Sequence, residues 1–226
     1  MFSILKSKSI NTQANIVLFF CCLSLIVLFP LFPDSYYSIL SKVSFSIIFI
    51  IGIILWQEIK TYSIVVVIGL IIFEWLLGNY IDGLFPNILK VINIIFLGLI
   101  VVKQVTDVVK AKRTSFIIIL EAVNGYLMLG LVYSIIVSLV MSLDANAIVC
   151  VIENNFPLIV HGKNNFSCVY YSFITFTTVG YGDYVALTNV ARAVSLLICI
   201  SGQLYLSIIV ALIISKINKH EKGELE

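Results

Sequence analysis

Charge is what this sequence has least of. Only 12% of its 226 residues are Asp, Glu, Lys or Arg, about half the share of an ordinary soluble domain. So few charges cannot keep a compact globule of this size wetted, so much of the surface is expected to face lipid. The net charge of +2 is too small to hold a nucleic acid. Catalytic patterns are missing too: there is no activated nucleophile, no phosphate-binding loop and no carboxylate pair. Five cysteines and two histidines show no metal-ligand spacing. Cys21, Cys22 and Cys199 lie in apolar runs and read as small core residues; His161 and His220 read as solvated. The sequence points to a non-enzyme without a cofactor.

What it has is apolar length. The main runs are Ile16 to Phe32, Tyr36 to Trp56, Tyr62 to Tyr80, Ile88 to Val102, Phe116 to Leu143 and Leu187 to Ile214. A helix of roughly 20 residues crosses the hydrocarbon of a bilayer, so the runs predict six transmembrane helices. The fourth is short unless it extends through Lys103 to Val109. Lys103 to Arg113 reads either as an amphipathic helix on the inner face, with Val105, Val108 and Val109 apolar, or as a helix end with a basic anchoring loop. Lys6 and Lys8 before the first run suggest a signal peptide, but the run is long for one. It ends at Pro30 and Pro33 rather than at a small-residue cleavage site, which favours an uncleaved helix.

Six crossings put both termini on one side. Ten basic residues fall there (Lys6, Lys8, Lys60, Lys103, Lys110, Lys112, Arg113, Lys216, Lys219, Lys222) and four on the other (Lys42, Lys90, Lys163, Arg192). The positive-inside rule then places both termini in the cytoplasm, of a bacterial plasma membrane if the short connections are a guide. The division is residues 1–113 as a four-helix membrane domain, 114–217 as a second membrane domain and 218–226 as a short cytoplasmic tail.

The chemistry lies between the fifth and sixth runs, in Thr177-Thr178-Val179-Gly180-Tyr181-Gly182-Asp183. Dehydrating an ion needs replacement oxygens, and a narrow pore lined by backbone carbonyls supplies them. Successive carbonyls all face one axis only if some residues leave the extended region for the left-handed one, which glycine enters at little steric cost. Gly180 and Gly182, alternating with Val179 and Tyr181, fit that need; Thr178 adds a hydroxyl. A helix from about Ser167 to Thr177 would support the loop and aim its negative end at the ion path.

This string is the known signature of potassium filters, and with the pore module from about Phe116 to Ile217 it resembles the potassium-channel superfamily. The resemblance implies an all-α membrane protein with a re-entrant pore helix and selectivity filter between helices 5 and 6. Potassium would be held by the carbonyls of Thr178, Val179, Gly180 and Tyr181, with Gly182 completing the filter, and Thr177, Asp183, Tyr170 and Tyr171 supporting it. A ring of carbonyls needs about four loops, so the unit is a homotetramer. Ile174 stands where some members carry a pore-helix Glu; either Tyr170 or Tyr171 is then left to hydrogen-bond Asp183. Arg192 looks like the arginine that follows many filters. Gly202 falls at the family's inner-helix hinge position, where glycine also serves close packing. Gly202-Gln203-Leu204-Tyr205-Leu206 looks like prokaryotic members without a cytosolic sensor domain.

A voltage sensor needs charges inside the field, each worth about 2.3 kcal/mol per 100 mV. The fourth run has only Lys90 and Lys103, with an uncharged stretch between, and both can snorkel. The expectation is a passive potassium channel insensitive to voltage, set against an atypical voltage-gated channel and a non-conducting interaction subunit. Lipid, or an unidentified regulatory subunit, would be its partner. Glu74 inside the third run reads as an intramembrane functional acid or an interface anchor. Cys150 and Cys168, both on the outer side, are candidates for a disulfide.

Overall fold

Pro30 decides how the first apolar run ends. The computed structural model describes residues 2–55, 68–69, 71, 75, 84–111, 115–151 and 165–223. Helix α1 (Phe2–Leu23) runs on as a π-helical turn, Ser24–Leu28, and a 3₁₀ turn, Phe29–Leu31. Pro30 has no N–H to continue the ladder, and Phe32 before Pro33 is extended, with ψ of 154°. The Pro33 carbonyl then accepts from Tyr36 and Tyr37 (2.9 and 3.0 Å), opening α2 (Asp34–Leu55). After the undescribed stretch come α3 (Leu84–Lys110) and α4 (Phe116–Leu143). A short strand β1 (Ile148–Cys150), a 12-residue helix α5 (Asn165–Phe176), strand β2 (Tyr184–Ala186) and the long α6 (Asn189–Gly223) complete the order.

Four helical stretches among the described residues are long and apolar enough to cross a membrane: Asn11–Leu31, Pro86–Lys110, Phe116–Leu143 and Asn189–Asn218. Ile39–Leu55 is apolar but shorter. The Tyr62 to Tyr80 run lies largely outside the described residues, and Glu74 entirely so. The fourth run takes its longer form. Its continuation to Lys110 is unbroken helix, not a separate surface helix, because Lys103 binds both carboxylate oxygens of Asp107 one turn on (2.6 Å each), which offsets two charges in the last turns. Val108 is buried against α4 and α6, whereas Val109 is exposed.

The all-α expectation needs one correction. Strands β1 and β2 pair antiparallel, Ile148 with Ala186, Val149 with Val185 and Cys150 with Tyr184. Two further bonds lengthen the ribbon, Val151 N–H to the Asp183 carbonyl (2.6 Å) and Leu187 N–H to the Ala147 carbonyl (2.9 Å). The Ile-Val and Tyr-Val pairs suit a strand, but three residues give too short a pattern to stand out from the chain.

Two cores organise the helices. One joins α1, α2, α3 and α4 through Leu18, Cys22, Ile48, Phe49, Leu97, Ile100, Met128 and Leu131. The other joins α4, β1, α5 and α6 through Val137, Ile148, Tyr171, Phe176, Ala191 and Ile198. Lipid tails are as apolar as leucine, so close fit rather than water exclusion holds membrane helices together. The contact between α4 and α5 shows this: a Cβ at Gly130 would overlap the Phe173 ring. Gly130→Val is therefore expected to lower stability by about 1–3 kcal/mol in thermal unfolding in detergent. Gly98→Ala, whose added Cβ meets nothing within 4 Å, is expected to leave stability unchanged or slightly higher.

Candidate functional site

Helix α5 ends in a set of bonds that turns the chain out of the helix. Thr177 gives both its N–H (2.9 Å) and its hydroxyl (2.7 Å) to the Phe173 carbonyl. Thr178 N–H bonds the Thr175 carbonyl (3.0 Å), and Gly180 N–H reaches back to the Ile174 carbonyl (3.1 Å). Three of the last four carbonyls of α5, those of Phe173, Ile174 and Thr175, are thus satisfied by the loop itself.

Beyond this point every second residue is left-handed: Thr178 at φ 61°, Gly180 at 53° and Gly182 at 81°. An added Cβ at Gly180 or Gly182 would touch nothing within 4 Å, so the demand for glycine comes from the backbone angle and not from space. Thr178 is the exception among them. A β-branched residue rarely adopts this region, at a cost of about 1–3 kcal/mol. Its hydroxyl accepts from Gln203 Nε2 of α6 (3.1 Å), one contact that holds it. Residues 177–182 are all exposed in the single chain, Val179 at 52% and Tyr181 at 73%. Among the described residues, little of the single chain covers the Val179 and Tyr181 side chains.

The C-terminal end of the loop is tied from several sides. Of the two tyrosines, Tyr170 is the one that donates to Asp183 (Oη to Oδ2, 2.7 Å). Tyr171 meets Ser195 of α6 (2.5 Å). Ser195 spends its own proton on the Ala191 carbonyl (2.7 Å), so Tyr171 donates. The Asp183 carbonyl is held by the β-ribbon, and Arg192 Nε donates to the Ala186 carbonyl (3.3 Å). The bond to Asp183 raises the Tyr170 phenol from 10.0 to about 12, with lesser contributions from burial and from the Asp183 charge.

Gly202 is a packing contact: α6 runs through it as unbroken helix, and a Cβ there would overlap the Phe176 carbonyl oxygen. The disulfide is not formed. Cys150 and Cys168 are free thiols, Cys150 in register with Tyr184 and Cys168 buried with its Sγ 3.7 Å from Met141 Sδ. The sequence alone gives neither Gln203 nor Ser195 a contact with the loop or its tyrosines. A glutamine in an otherwise apolar helix, next to a glycine, is the one signal that marked Gln203.

Residues 145–219, which hold β1, α5, the left-handed loop, β2 and most of α6, match the family model described as "Ion channel". Over 67 residues the chain is 39% identical to the calcium-gated potassium channel TvoK of Thermoplasma volcanium. That stretch is 28% of this chain and 19% of the relative, so the chain matches about a fifth of that protein's length. No solved structure matches the chain. With four helices of spanning length among the described residues, this match points to an integral membrane protein.

Tyr170→Phe removes the phenol and leaves both oxygens of Asp183 without a partner among the described residues. We expect a loss of about 1 kcal/mol, discounted because the pair is partly exposed, and a smaller effect on Asp183 from Tyr171→Phe. The phenol is raised in the fold, so its contribution is complete below pH 10 and lost as pH climbs through about 12. Unfolding of wild type and Tyr170→Phe followed from pH 8 to 12 should show the gap closing only at the alkaline end.

Proposed function

We propose that the chain is one subunit of a homotetrameric, potassium-selective channel with Thr178, Val179, Gly180, Tyr181 and Gly182 as its filter. The observation that carries this is the alternation of left-handed backbone at Thr178, Gly180 and Gly182, directly after a 12-residue helix and ahead of a long apolar one. In such an alternation the carbonyls of Thr178, Val179, Gly180 and Tyr181 turn to one side and replace the hydration shell of potassium. Helix α5 is then the pore helix, with α4 outer and α6 inner. One chain gives one such loop, so four copies surround the axis. Neighbouring copies would cover Val179, Tyr181 and part of the exposed apolar surface of α6 (Leu196, Leu197, Ile200, Leu204); lipid covers the rest. The similarity to a relative named as a potassium channel supports the choice of ion.

With the Tyr62 to Tyr80 run as the third span, the chain crosses the membrane six times and keeps both termini in the cytoplasm. Residues 1–113 form a degenerate sensor-like domain and 114–217 the pore domain. Voltage is not the stimulus. Lys90 donates to the Ser138 carbonyl (3.1 Å) and Lys103 to Asp107, so two of the three lysines of α3 are engaged locally, the third, Lys110, ends the helix, and no charge lies between Lys90 and Lys103. A lipid or a regulatory subunit would supply the gating input.

Purified protein in liposomes is expected to pass potassium but not sodium, with shallow voltage dependence. Gly180→Ala forces a side chain into the left-handed region and should abolish flux while leaving assembly intact. Selective flux preserved in Gly180→Ala would refute the filter, and steep voltage dependence would refute the gating reading.

A further inference from the structure

The inner halves of α1, α3 and α4 enclose polar groups that the fold leaves unsatisfied. Asn15 and Asn124 are fully buried and Gln104 is 3% exposed. They surround or adjoin a cavity of about 20 Å³ lined by Asn15, Lys103, Gln104, Asp107 and Glu121 among others, room for one water-sized occupant.

The donors there are largely spent. Asn15 Nδ2 donates to the Asn11 carbonyl (3.1 Å) and to Glu121 Oε1 (3.3 Å). Asn124 Nδ2 donates to the Asn15 carbonyl (2.9 Å) and side-chain oxygen (3.3 Å). Lys103 is bound to Asp107. What remains without a hydrogen-bond partner among the described residues is three acceptors, Glu121 Oε2, Gln104 Oε1 and Asn124 Oδ1, against one donor, Gln104 Nε2. Among the described residues that line the cavity, two carboxylates (Asp107 and Glu121) stand against one ammonium (Lys103), an excess of one negative charge when both are ionised.

An excess of acceptors, one net negative charge and room for one small particle select the occupant. Water brings no charge, and a divalent ion would leave an uncompensated positive one in a low-dielectric site. We infer that Glu121 and Gln104, the cavity-lining residues with free acceptor oxygens, form an internal alkali-metal cation site, separate from the ion path. The site adjoins the pore domain. Gln104 Oε1 would sit 3.5 Å from a Cβ at Gly125, and the same Cβ would overlap Tyr205 Oη of α6, whose hydroxyl donates to the Ala122 carbonyl (2.7 Å). An occupant therefore stabilises the joint between the first domain and α6.

Sodium is the probe, because potassium also loads the proposed filter. Full-length protein in detergent, at constant potassium with choline balancing the ionic strength, is expected to show a saturable sodium-dependent rise in unfolding midpoint and broadening of the ²³Na resonance. Glu121→Gln should lose both, and Gln104→Leu, an apolar replacement of similar size, should weaken the apparent affinity about tenfold. Gly180→Ala should lose flux and keep the sodium response, so failure of the filter reading and of this one are separable. No sodium response in wild type, as would follow if Glu121 simply carries a proton, refutes the site. So does an equal response in Glu121→Gln or Gln104→Leu.

Discussion

The structure depends on one awkward length of backbone. Residues 177–182 run exposed and non-helical between apolar helices, with alternate residues in a region of conformational space that side chains avoid. At membrane depth such a segment persists only if protein or water satisfies it. The chain answers on three fronts. The C-terminal carbonyls of α5 take the N–H groups of Thr177, Thr178 and Gly180. Gln203 of α6 reaches the Thr178 hydroxyl, and Tyr170 and the β-ribbon hold Asp183. Helices α4 and α6 hold α5 in turn, by contacts in which Gly130 and Gly202 leave room for Phe173 and Phe176.

Helix α3 bears on the same frame from the other end of α6. Lys216 of α6 donates to the Val108 and Val109 carbonyls at the end of α3, which places a positive charge at the negative end of that helix. Val108, Ala122 and Ile209 form a small apolar cluster beside it. The end of α3 is thus joined to the part of α6 that lies far from the loop.

Much of this was legible in the residues. Glycine at alternate positions announced the left-handed backbone, because few other residues accept it, and the short helix before it was placed to within two residues at each end. Four of the six apolar runs coincide with the spanning-length helices of the described residues. What escaped notice was tertiary. The β-ribbon joins three-residue strands more than thirty residues apart, with no pattern of their own. The length of α3 was hidden because Lys103 and Asp107 look like a helix end singly and a neutral turn together. Outer-side Cys150 and Cys168 suggested a bond, but the ribbon holds one while α5 buries the other. Gln203 and the unpartnered Gln104 acquire meaning only from what α4 and the loop bring beside them.

The most direct test of the central claim is to see ions in the loop. A structure of the full-length protein in lipid, with thallium in place of potassium, is expected to show a row of anomalous peaks on a fourfold axis, each ringed by carbonyls of Thr178 to Tyr181. Peaks absent from that axis, or an assembly in which the four loops do not meet, would contradict it.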